Sequence, residues 1–335
     1  MNLIKGYTHS VPGSRLSMTS PTAIADRLMD ATIVPGFTSL GYRFRSRTWE
    51  ATPDLSGKAM LITGASSGLG AATCELLADA GATVHMLVRD LEKGAKVRAG
   101  IAERTGSEDL RLWRCDISEQ ASIRDFASDF AAEVPKLDAL VNNAGVMPPE
   151  RTKSADEIEL SFATNVTGPL LLALELLPTL RAAAPGRVVN VSSGGMYGAK
   201  LNADDLQLEK RDYDAVRFYA HTKRCEVILT EVCQDRLGSG GVVFSSTHPG
   251  WADTPGVQDS LPAFNKVMGP ILRNAEEGAD TFAWLCWASE PVADPGRFWH
   301  DREPRTTHKL PTTKESQEAR ERLWEECNRL IKESA

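Results

Sequence analysis

The chain has 335 residues, of which 42% are apolar and 25% charged, and its net charge is −7. That is enough apolar material for a large buried core, so we expect an ordinary globular protein. The acidic balance argues against a nucleic-acid partner, and no apolar run approaches the roughly 18 residues of a membrane span. Six cysteines lie in apolar patterns without ligand spacing, which predicts buried free thiols, no metal site, and an intracellular, preferably cytoplasmic, location.

Residues 1–54 read as a basic N-terminal extension, since residues 1–48 carry six basic and two acidic side chains. No apolar run followed by a small-residue cleavage site is present, so the extension is a poor secretory signal. We expect a structural arm packed on the main domain. Organellar targeting remains open, and so does peripheral membrane contact through residues 20–49. The apolar side chains that would serve such contact are Ile24, Leu28, Ile33, Phe37, Leu40, Tyr42, Phe44 and Trp49.

From Lys58 onward, short β-branched runs alternate with longer stretches of helical spacing. This alternation predicts a parallel sheet covered by helices on both faces, a doubly wound α/β fold of the Rossmann type in one domain. The predicted strands are 59–63, 83–88, 110–114, 139–142, 187–191, 241–247 and 296–299. The predicted helices are 69–80, 117–133, 157–177, 215–237 and 314–331. The domain should span residues 55–302 with a substrate loop at about 255–275, and residues 303–335 should form a C-terminal tail with a helix.

A glycine-rich turn, Gly64-Ala-Ser-Ser-Gly68-Leu-Gly70, joins the first predicted strand to the first predicted helix. Glycines permit a tight turn and close approach of the backbone, and the helix N-terminus offers N–H groups to an anion. Such a turn is weak alone, but a dinucleotide site requires it at this first strand–helix junction. We therefore expect the cofactor's pyrophosphate end to be bound by Gly64, Ser66, Ser67, Gly68, Leu69 and Gly70.

The second predicted strand ends in Arg89-Asp90. In a dinucleotide fold this position lies near the adenosine ribose, where an acidic residue favours NAD and an arginine favours the 2′-phosphate of NADP. Because Arg89 comes first, we expect NADP (NADPH), with NAD as the less favoured cofactor.

The segment Thr63–Gly70 resembles the TGxxxGxG signature of the short-chain dehydrogenases/reductases, and five further elements follow in that family's order. YxxxK alone arises often by chance, whereas six ordered elements over residues 63–254 are specific. Other segments between Leu55 and Arg302, among them Lys200-Leu-Asn and Gly278-Ala-Asp-Thr, resemble one subgroup of the family. The five elements are Asn142-Asn-Ala-Gly145, Asn165, Val191-Ser-Ser193, Tyr219-Ala-His-Thr-Lys223 and Pro249-Gly-Trp-Ala-Asp-Thr254.

The resemblance implies a catalytic set of Asn165, Ser193, Tyr219 and Lys223. Tyr219 would be the acid/base, Ser193 would bond the substrate oxygen, with Ser192 as a competitor, and Asn165 would anchor a water. Tyr219 and Lys223 are four apart and share a helix face, so we expect the ammonium to lower the phenol pKa toward neutrality. The resemblance also implies cofactor contacts at Asp116, Ile117, Asn143, Ala144, Gly145, Tyr219, Lys223, Pro249, Gly250 and Thr254.

These observations predict an NADP-dependent oxidoreductase that transfers hydride between nicotinamide and a carbonyl or alcohol carbon of an apolar small molecule. A non-catalytic NADP-binding sensor or scaffold on the same fold remains the alternative. A sugar-nucleotide epimerase is disfavoured, because its turn pattern and larger C-terminal region are missing. The expected apolar wall of the substrate site comprises Met147, Met196, Tyr197, Trp251, Leu261, Phe264, Val267, Met268, Ile271 and Leu272.

The segment 194–217, between Ser193 and Tyr219, is longer than in many family members and rich in Asp, Glu and Lys. We expect it to cross the surface, wall the substrate mouth and cover helix faces used elsewhere for dimerisation. A monomer is therefore favoured, and a dimer remains open.

Overall fold

The structure, a computed structural model, describes residues 33–253 and 268–333. Its strands form one sheet in the order β3-β2-β1-β4-β5-β6-β7-β8, and only the last pair, β7 with β8, is antiparallel. The strands are β1 Ala59–Thr63, β2 Thr83–Val88, β3 Leu110–Arg114, β4 Ala139–Asn142, β5 Gly186–Val191, β6 Val242–Thr247, β7 Phe298–His300 and β8 Glu303–Arg305. The order changes direction between β1 and β4, which places a ligand crevice at the carboxyl ends of these strands.

Helices cover both faces of the sheet, which is why β4 and β6 are buried along their whole length. The described helices are α1 Ile33–Phe37, α2 Ser39–Arg45, α3 Gly68–Asp79, α4 Leu91–Thr105, α5 Gln120–Glu133, α6 Leu160–Phe162, α7 Gly168–Glu175, α8 Leu177–Arg181, α9 Ala215–Leu237, α10 Ala275–Leu285, α11 Glu290–Ala293 and α12 Gln317–Glu333. Leucines and phenylalanines of α5, α7, α9 and α12 fill the core on one face. The other face is filled from α3, α4 and α10.

The predicted doubly wound fold is confirmed, and the predicted strands agree with the observed ones to within two residues at each end. The single helix predicted over 157–177 is wrong. A π-helical turn, Ala163–Thr167, separates α6 from α7, and α8 follows as a further short helix. Pro169 lacks the N–H that would bond to the carbonyl of Asn165 in an α-helix, so the regular pattern cannot continue there. Strand β8 and helices α1, α2, α4, α10 and α11 were not predicted.

Residues 33–49 of the N-terminal extension pack on the domain, and we call them the N-terminal strap. Phe37 is only 2% exposed, and the carbonyl of Gly36 accepts hydrogen bonds from Arg45 and Arg273. Among the side chains considered for membrane contact, Phe37 is therefore unavailable, whereas Leu40 and Phe44 are exposed. Ile24 and Leu28 lie outside the described residues.

All six cysteines are buried and free, as the sequence predicts. Among the described residues, no helix combines the length and apolar character needed to span a membrane.

Candidate active site

The glycine turn after β1 forms a cradle that side chains would block. Gly64 has a φ of +66°, and a Cβ there would lie 3.0 Å from the Cα of Ala144. A Cβ on Gly70 would lie 2.4 Å from the carbonyl oxygen of Gly64. Ser67 precedes α3, and its side chain makes no capping hydrogen bond. The first N–H groups of α3 are thus left to meet an anion held in the turn.

The cradle is tied to the end of β4. The Thr63 hydroxyl accepts hydrogen bonds from the amides of Asn143 and Ala144 at 3.0 and 2.9 Å. The side chain of Asn143 donates to the carbonyl of Thr63 at 2.9 Å. The predicted cofactor residues of the first and fourth strand ends therefore lie against one another at the switch point of the sheet.

Arg89 follows β2 with its side chain 77% exposed, and its nearest carboxylate, Asp116, is 3.9 Å away. Asp116 accepts hydrogen bonds from the amide and hydroxyl of Ser118, and Ile117 is buried beside it. The loops after β2 and β3 thus bring Arg89, Asp116 and Ile117 to the same edge of the crevice.

Tyr219 and Lys223 lie one turn apart on α9, as their spacing predicts. The Lys223 Nζ is 5.5 Å from the centre of the Tyr219 ring, and the Ser193 side chain lies near enough to the Tyr219 phenol to lower its pKa. The Lys223 Nζ donates to the carbonyl of Val191 at 2.8 Å and to Oε1 of Glu226 at 2.7 Å. The strand end after β5 and the first half of α9 therefore form one cluster.

Ser192 points away from this cluster, because its hydroxyl donates to the carbonyl of Lys223 at 2.8 Å inside the protein. It is 3% exposed. Of the two neighbouring serines, only Ser193 reaches Tyr219.

Asn165 lies in the π-helical turn and is fully buried. Its Nδ2 donates to the carbonyl of Val146 at 3.1 Å and to the hydroxyl of Thr222 at 3.0 Å, while its Oδ1 accepts from the amide of Val146 at 2.9 Å. A Cβ on Gly145 would lie 3.4 Å from both Asn165 Oδ1 and Lys223 Nζ. Asn165 thereby fixes the loop after β4 next to Lys223.

Burial raises the pKa of the Tyr219 phenol above its usual value, against the lowering effects of Lys223 and Ser193. The expected net lowering by Lys223 is therefore wrong for the protein without ligands. The direction of the lysine effect is as expected, but desolvation of the phenolate outweighs it.

The N-terminal strap packs against the loop that follows β6. This loop is His248-Pro249-Gly250-Trp251. The Trp251 amide donates to the carbonyl of Phe37 at 2.7 Å, and a Cβ on Gly250 would lie 2.7 Å from that same oxygen. The strap thus supports the backbone at Pro249 and Gly250. Thr254, the last member of the predicted motif, lies outside the described residues.

Beneath this loop, two buried arginines share one carboxylate. Asp301 accepts from Arg273 at 2.6 and 2.8 Å and from Arg45 at 2.6 Å. Burial favours the protonated carboxyl, but His300 and the two arginines outweigh it and hold the pKa of Asp301 well below its usual range. We call Arg45, Arg273 and Asp301 the buried ion cluster.

Two of the residues expected to wall a substrate site are packed inside the protein instead. Met196 and Tyr197 form a small core with Phe37, Val227 and Phe298. This interpretation of them as open walls was wrong, since the strap supplies a packing partner that the sequence did not reveal. Met147, Trp251, Met268 and Ile271 are partly exposed, Leu272 is buried, and Leu261, Phe264 and Val267 lie outside the described residues.

The segment 194–217 was expected to cross the surface, but several hydrogen bonds also anchor it to the domain. Arg224, fully buried, donates to the carbonyls of Met196, Ala199 and Thr307. The Tyr213 hydroxyl donates to the carbonyl of Pro148 at 3.0 Å, which places this part of the segment beside the loop after β4.

Two sets of residues that sequence reasoning missed stand next to the site, namely Glu226 and the buried ion cluster. Glu226 carried a signal, because a carboxylate between Cys225 and Val227 on the apolar face of α9 needs a buried partner. The buried ion cluster carried no such signal, because Arg45, Arg273 and Asp301 are remote from one another in sequence.

A doubly wound sheet with a glycine cradle at its switch point defines a dinucleotide-binding protein, and a Tyr–Lys pair beside that cradle defines an oxidoreductase site. A family model described as short chain dehydrogenase matches residues 58–263. The chain belongs to the short-chain dehydrogenase/reductase family, whose members bind NAD or NADP.

Individual relatives agree with this assignment. The chain is 38% identical over 299 residues to dehydrogenase/reductase SDR family member 12 of Homo sapiens, covering 88% of this chain and 93% of that one. It is 36% identical over 274 residues to retinol dehydrogenase 12 of Homo sapiens, covering 81% and 85%. A solved structure of an uncharacterized protein from Mycobacterium paratuberculosis superposes with a TM-score of 0.67 at 28% identity, covering 84% and 95%. The resemblance inferred from the motifs is thus confirmed.

Proposed function

We propose that this chain is an NADP-dependent oxidoreductase that interconverts a carbonyl and an alcohol on an apolar small molecule, with Tyr219 as acid/base. The observation that carries the proposal is the convergence of Ser193, Tyr219 and Lys223 in one cluster next to the dinucleotide cradle. Asn165 holds the neighbouring loop in place. Every member of the predicted catalytic set is thus present and adjacent, which favours catalysis over a sensor or scaffold.

The residues present fit a nicotinamide dinucleotide. The closely packed glycines at positions 64 and 70 leave no room for side chains, and the uncapped start of α3 offers N–H groups for the pyrophosphate. The residues that would hold the group are those of the cradle, the Asn143–Gly145 loop, Lys223 and the Pro249–Gly250 loop. When bound, the group supplies the hydride or accepts it.

The chain's own residues handle the proton. The Tyr219 hydroxyl would donate a proton to the oxygen of a carbonyl substrate as negative charge develops there, and the Ser193 hydroxyl would hydrogen-bond the same oxygen. The Lys223 ammonium would stabilise the resulting phenolate. The Asn165 side chain already makes three hydrogen bonds. We propose its main-chain carbonyl as the anchor of a water, because Pro169 has no N–H to bond it.

NADP is proposed over NAD because Arg89 and Asp90 differ in availability. The Asp90 carboxylate caps α4 by accepting from the Lys93 amide at 3.0 Å, whereas the Arg89 guanidinium extends into solvent at the crevice edge. An arginine in this position can bind a 2′-phosphate.

An apolar substrate is proposed from two observations. The described part of the mouth includes the partly exposed apolar side chains Met147, Trp251 and Ile271. Several relatives are by name retinol dehydrogenases, and retinol is an apolar alcohol.

The decisive experiment measures NADPH consumption with a panel of apolar aldehydes and ketones. Tyr219→Phe should lower turnover at least about 100-fold while NADPH binding persists, because only the acid/base hydroxyl is removed. Tyr213→Phe is the matched control, since its hydroxyl bonds the Pro148 carbonyl nearby, and it should keep turnover. NADPH binding without turnover of any compound would favour the sensor, and turnover unaffected in Tyr219→Phe would refute the proposed mechanism.

We further propose that the protein is a monomer, because the anchored segment 194–217 covers the side of the domain next to the start of α9. Light scattering at micromolar concentration tests this, and a stable dimer or tetramer would refute it.

A further inference from the structure

Glu226 is a buried carboxylate one turn beyond Lys223 on α9. Its Oε1 lies 2.7 Å from the Lys223 Nζ, and the two side chains are 6% and 3% exposed. Ion pairs this deeply buried are uncommon unless the partners hold each other in place.

The ammonium of Lys223 has three N–H groups, and the structure accounts for two of them. One bonds the carbonyl of Val191 and one bonds Glu226. The third is left for a ligand on the side of Gly145, where a Cβ added to that glycine would lie 3.4 Å from the Nζ. Glu226 therefore fixes the direction in which Lys223 can still donate.

The second oxygen of Glu226, Oε2, is buried and has no hydrogen-bond partner. Glu226 lines a small cavity of about 20 Å³ together with Asn165, Asn190, Leu229 and Phe244. A cavity of this size holds one water, which needs roughly 10–15 Å³ and polar partners. The carboxylate thus stands between the catalytic lysine and a space large enough for one water.

The groups facing Glu226 from other elements are neutral. The π-helical turn contributes Asn165, β5 contributes Asn190, and α7 and β6 contribute apolar side chains. Among residues 33–253 and 268–333, the titratable groups near it lie on α9, and they are Tyr219, Lys223, Cys225 and Cys233. Lys223 is accordingly the positive charge that the Glu226 carboxylate offsets.

We propose that Glu226 is a positioning residue for the reaction, whose carboxylate orients and neutralises the Lys223 ammonium and so leaves Tyr219 poised to give a proton rather than take one. This inference rests on the proposed function of Tyr219. Burial raises the pKa of Glu226 to about 7 against the lowering effect of Lys223, so the carboxylate is charged above neutral pH. In that range it keeps Tyr219 a proton donor and confines alcohol oxidation to higher pH.

The charges act in the direction that the proposal requires. Burial is the main cause that raises the pKa of Tyr219, Lys223 lowers it, and Glu226 raises it again. Burial also lowers the pKa of Lys223, but the Glu226 carboxylate and the phenolate outweigh this and keep the lysine charged. Removing the carboxylate charge should therefore lower the pKa of Tyr219, because the direct repulsion from Glu226 is lost while the phenolate itself still favours the charged form of Lys223.

The test compares Glu226→Gln, which keeps the shape and an acceptor for Lys223, with Glu231→Gln as a matched control. Glu231 lies on the same helix but pairs with Arg320 at 2.7 Å. Each chain is produced with a fluorinated tyrosine that ionises closer to neutral pH, and the Tyr219 signal is assigned by comparison with Tyr219→Phe. Fluorine NMR then follows ionisation of this phenol against pH without requiring a substrate.

In Glu226→Gln we expect the midpoint of Tyr219 ionisation to fall by about one pH unit, the effect of one unit charge roughly 10 Å away at an effective dielectric constant of about 20. Glu231→Gln should leave it unchanged. The pH profile of alcohol oxidation should move by the same amount in the same direction. An unmoved or raised midpoint in Glu226→Gln would overturn the proposal.

Glu226→Asp provides a second test if Glu226→Gln does not fold. Its carboxylate is withdrawn by one methylene, so the midpoint should lie below that of the unchanged protein, and an equal or higher midpoint contradicts the inference. A shifted ionisation without any turnover would leave the role of Glu226 intact and refute the proposed enzyme function, whereas turnover with no shift would do the reverse.

Discussion

The Asp90 carboxylate accepts a hydrogen bond from the Lys93 amide at 3.0 Å and so caps the helix that begins at Leu91. Capping by aspartate stabilises a helix by about 1 kcal/mol. The acidic residue at the tip of β2 therefore already has a structural task. The neighbouring Arg89 side chain is 77% exposed with the Asp116 carboxylate 3.9 Å away, and it is the one that we propose binds the 2′-phosphate.

Arg89→Ala should weaken NADPH binding about 10- to 100-fold, the loss expected for a charge-assisted contact to phosphate. NADH binding should change little, since NADH lacks that phosphate. Fluorescence titration of both cofactors measures the effect. Arg111→Ala is a suitable control. Arg111 is also exposed, but it lies near the start of β3, whereas Arg89 lies beside the loop that follows the end of β3. Tighter binding of NADH by the unchanged protein would mean that Arg89 does not set the preference.

Ser193→Ala should lower turnover on the order of 100-fold, because the bond to the developing oxyanion is lost. Ser192→Ala is its natural counterpart. It removes a buried bond to the Lys223 carbonyl, so it should cost about 1 kcal/mol of stability and change turnover only a few-fold. Steady-state rates and denaturant unfolding of the two variants separate these effects. A reversed pattern would assign the reacting hydroxyl to Ser192.

Asp301→Asn should lower the free energy of unfolding by about 3–5 kcal/mol, because Arg45 and Arg273 would remain buried without a counter-charge. Denaturant unfolding measures this, with Asp294→Asn as the control for an exposed pair with Arg297. A loss below about 1 kcal/mol would show that solvent reaches the two arginines.

Buried histidines should make the protein less stable in mild acid. Burial lowers the pKa of His85 and His221 to about 4 and that of His300 to about 3. Their pKa values when unfolded are about 6.5, so between these limits the unfolded chain binds more protons and stability falls as pH drops. At about pH 5, each of these three histidines should lower the free energy of unfolding by about 2 kcal/mol relative to its value at pH 7.

Denaturant unfolding at the two pH values measures this loss. His85→Asn should remove about 2 kcal/mol of it, because the titrating ring is lost. The fold should tolerate the change, since an amide oxygen can still accept from Trp113, which donates to His85 at 3.0 Å. An equal pH dependence in both chains would show that His85 is protonated in the folded protein.

The sequence was most informative where chemistry is local. The strands and the glycine turn follow from apolar periodicity and from steric demands within a few residues, as at Gly64 and Gly70. The split of the predicted helix 157–177 was not predicted, since the apolar spacing continues through Pro169 while the hydrogen bonding does not.

Residues that depend on distant partners escaped the sequence analysis. Arg273 reads as an ordinary surface charge until Asp301 and the carbonyl of Gly36 surround it. Tyr197 reads as an open aromatic until Phe37 covers it, with ring centres 6.3 Å apart. Tertiary packing, and no local pattern, decides both.

The N-terminal strap also bears on where this domain can be cut. The family model matches residues 58–263, yet Arg45, Arg273 and Asp301 all lie outside those limits and meet one another inside the fold. A fragment trimmed to the matched region would retain the cradle and Tyr219 but lose the backing of the Pro249–Gly250 loop. The region that the family model matches thus leaves out residues that pack inside the fold, and we expect that a stable fragment must begin no later than the strap and extend past β8.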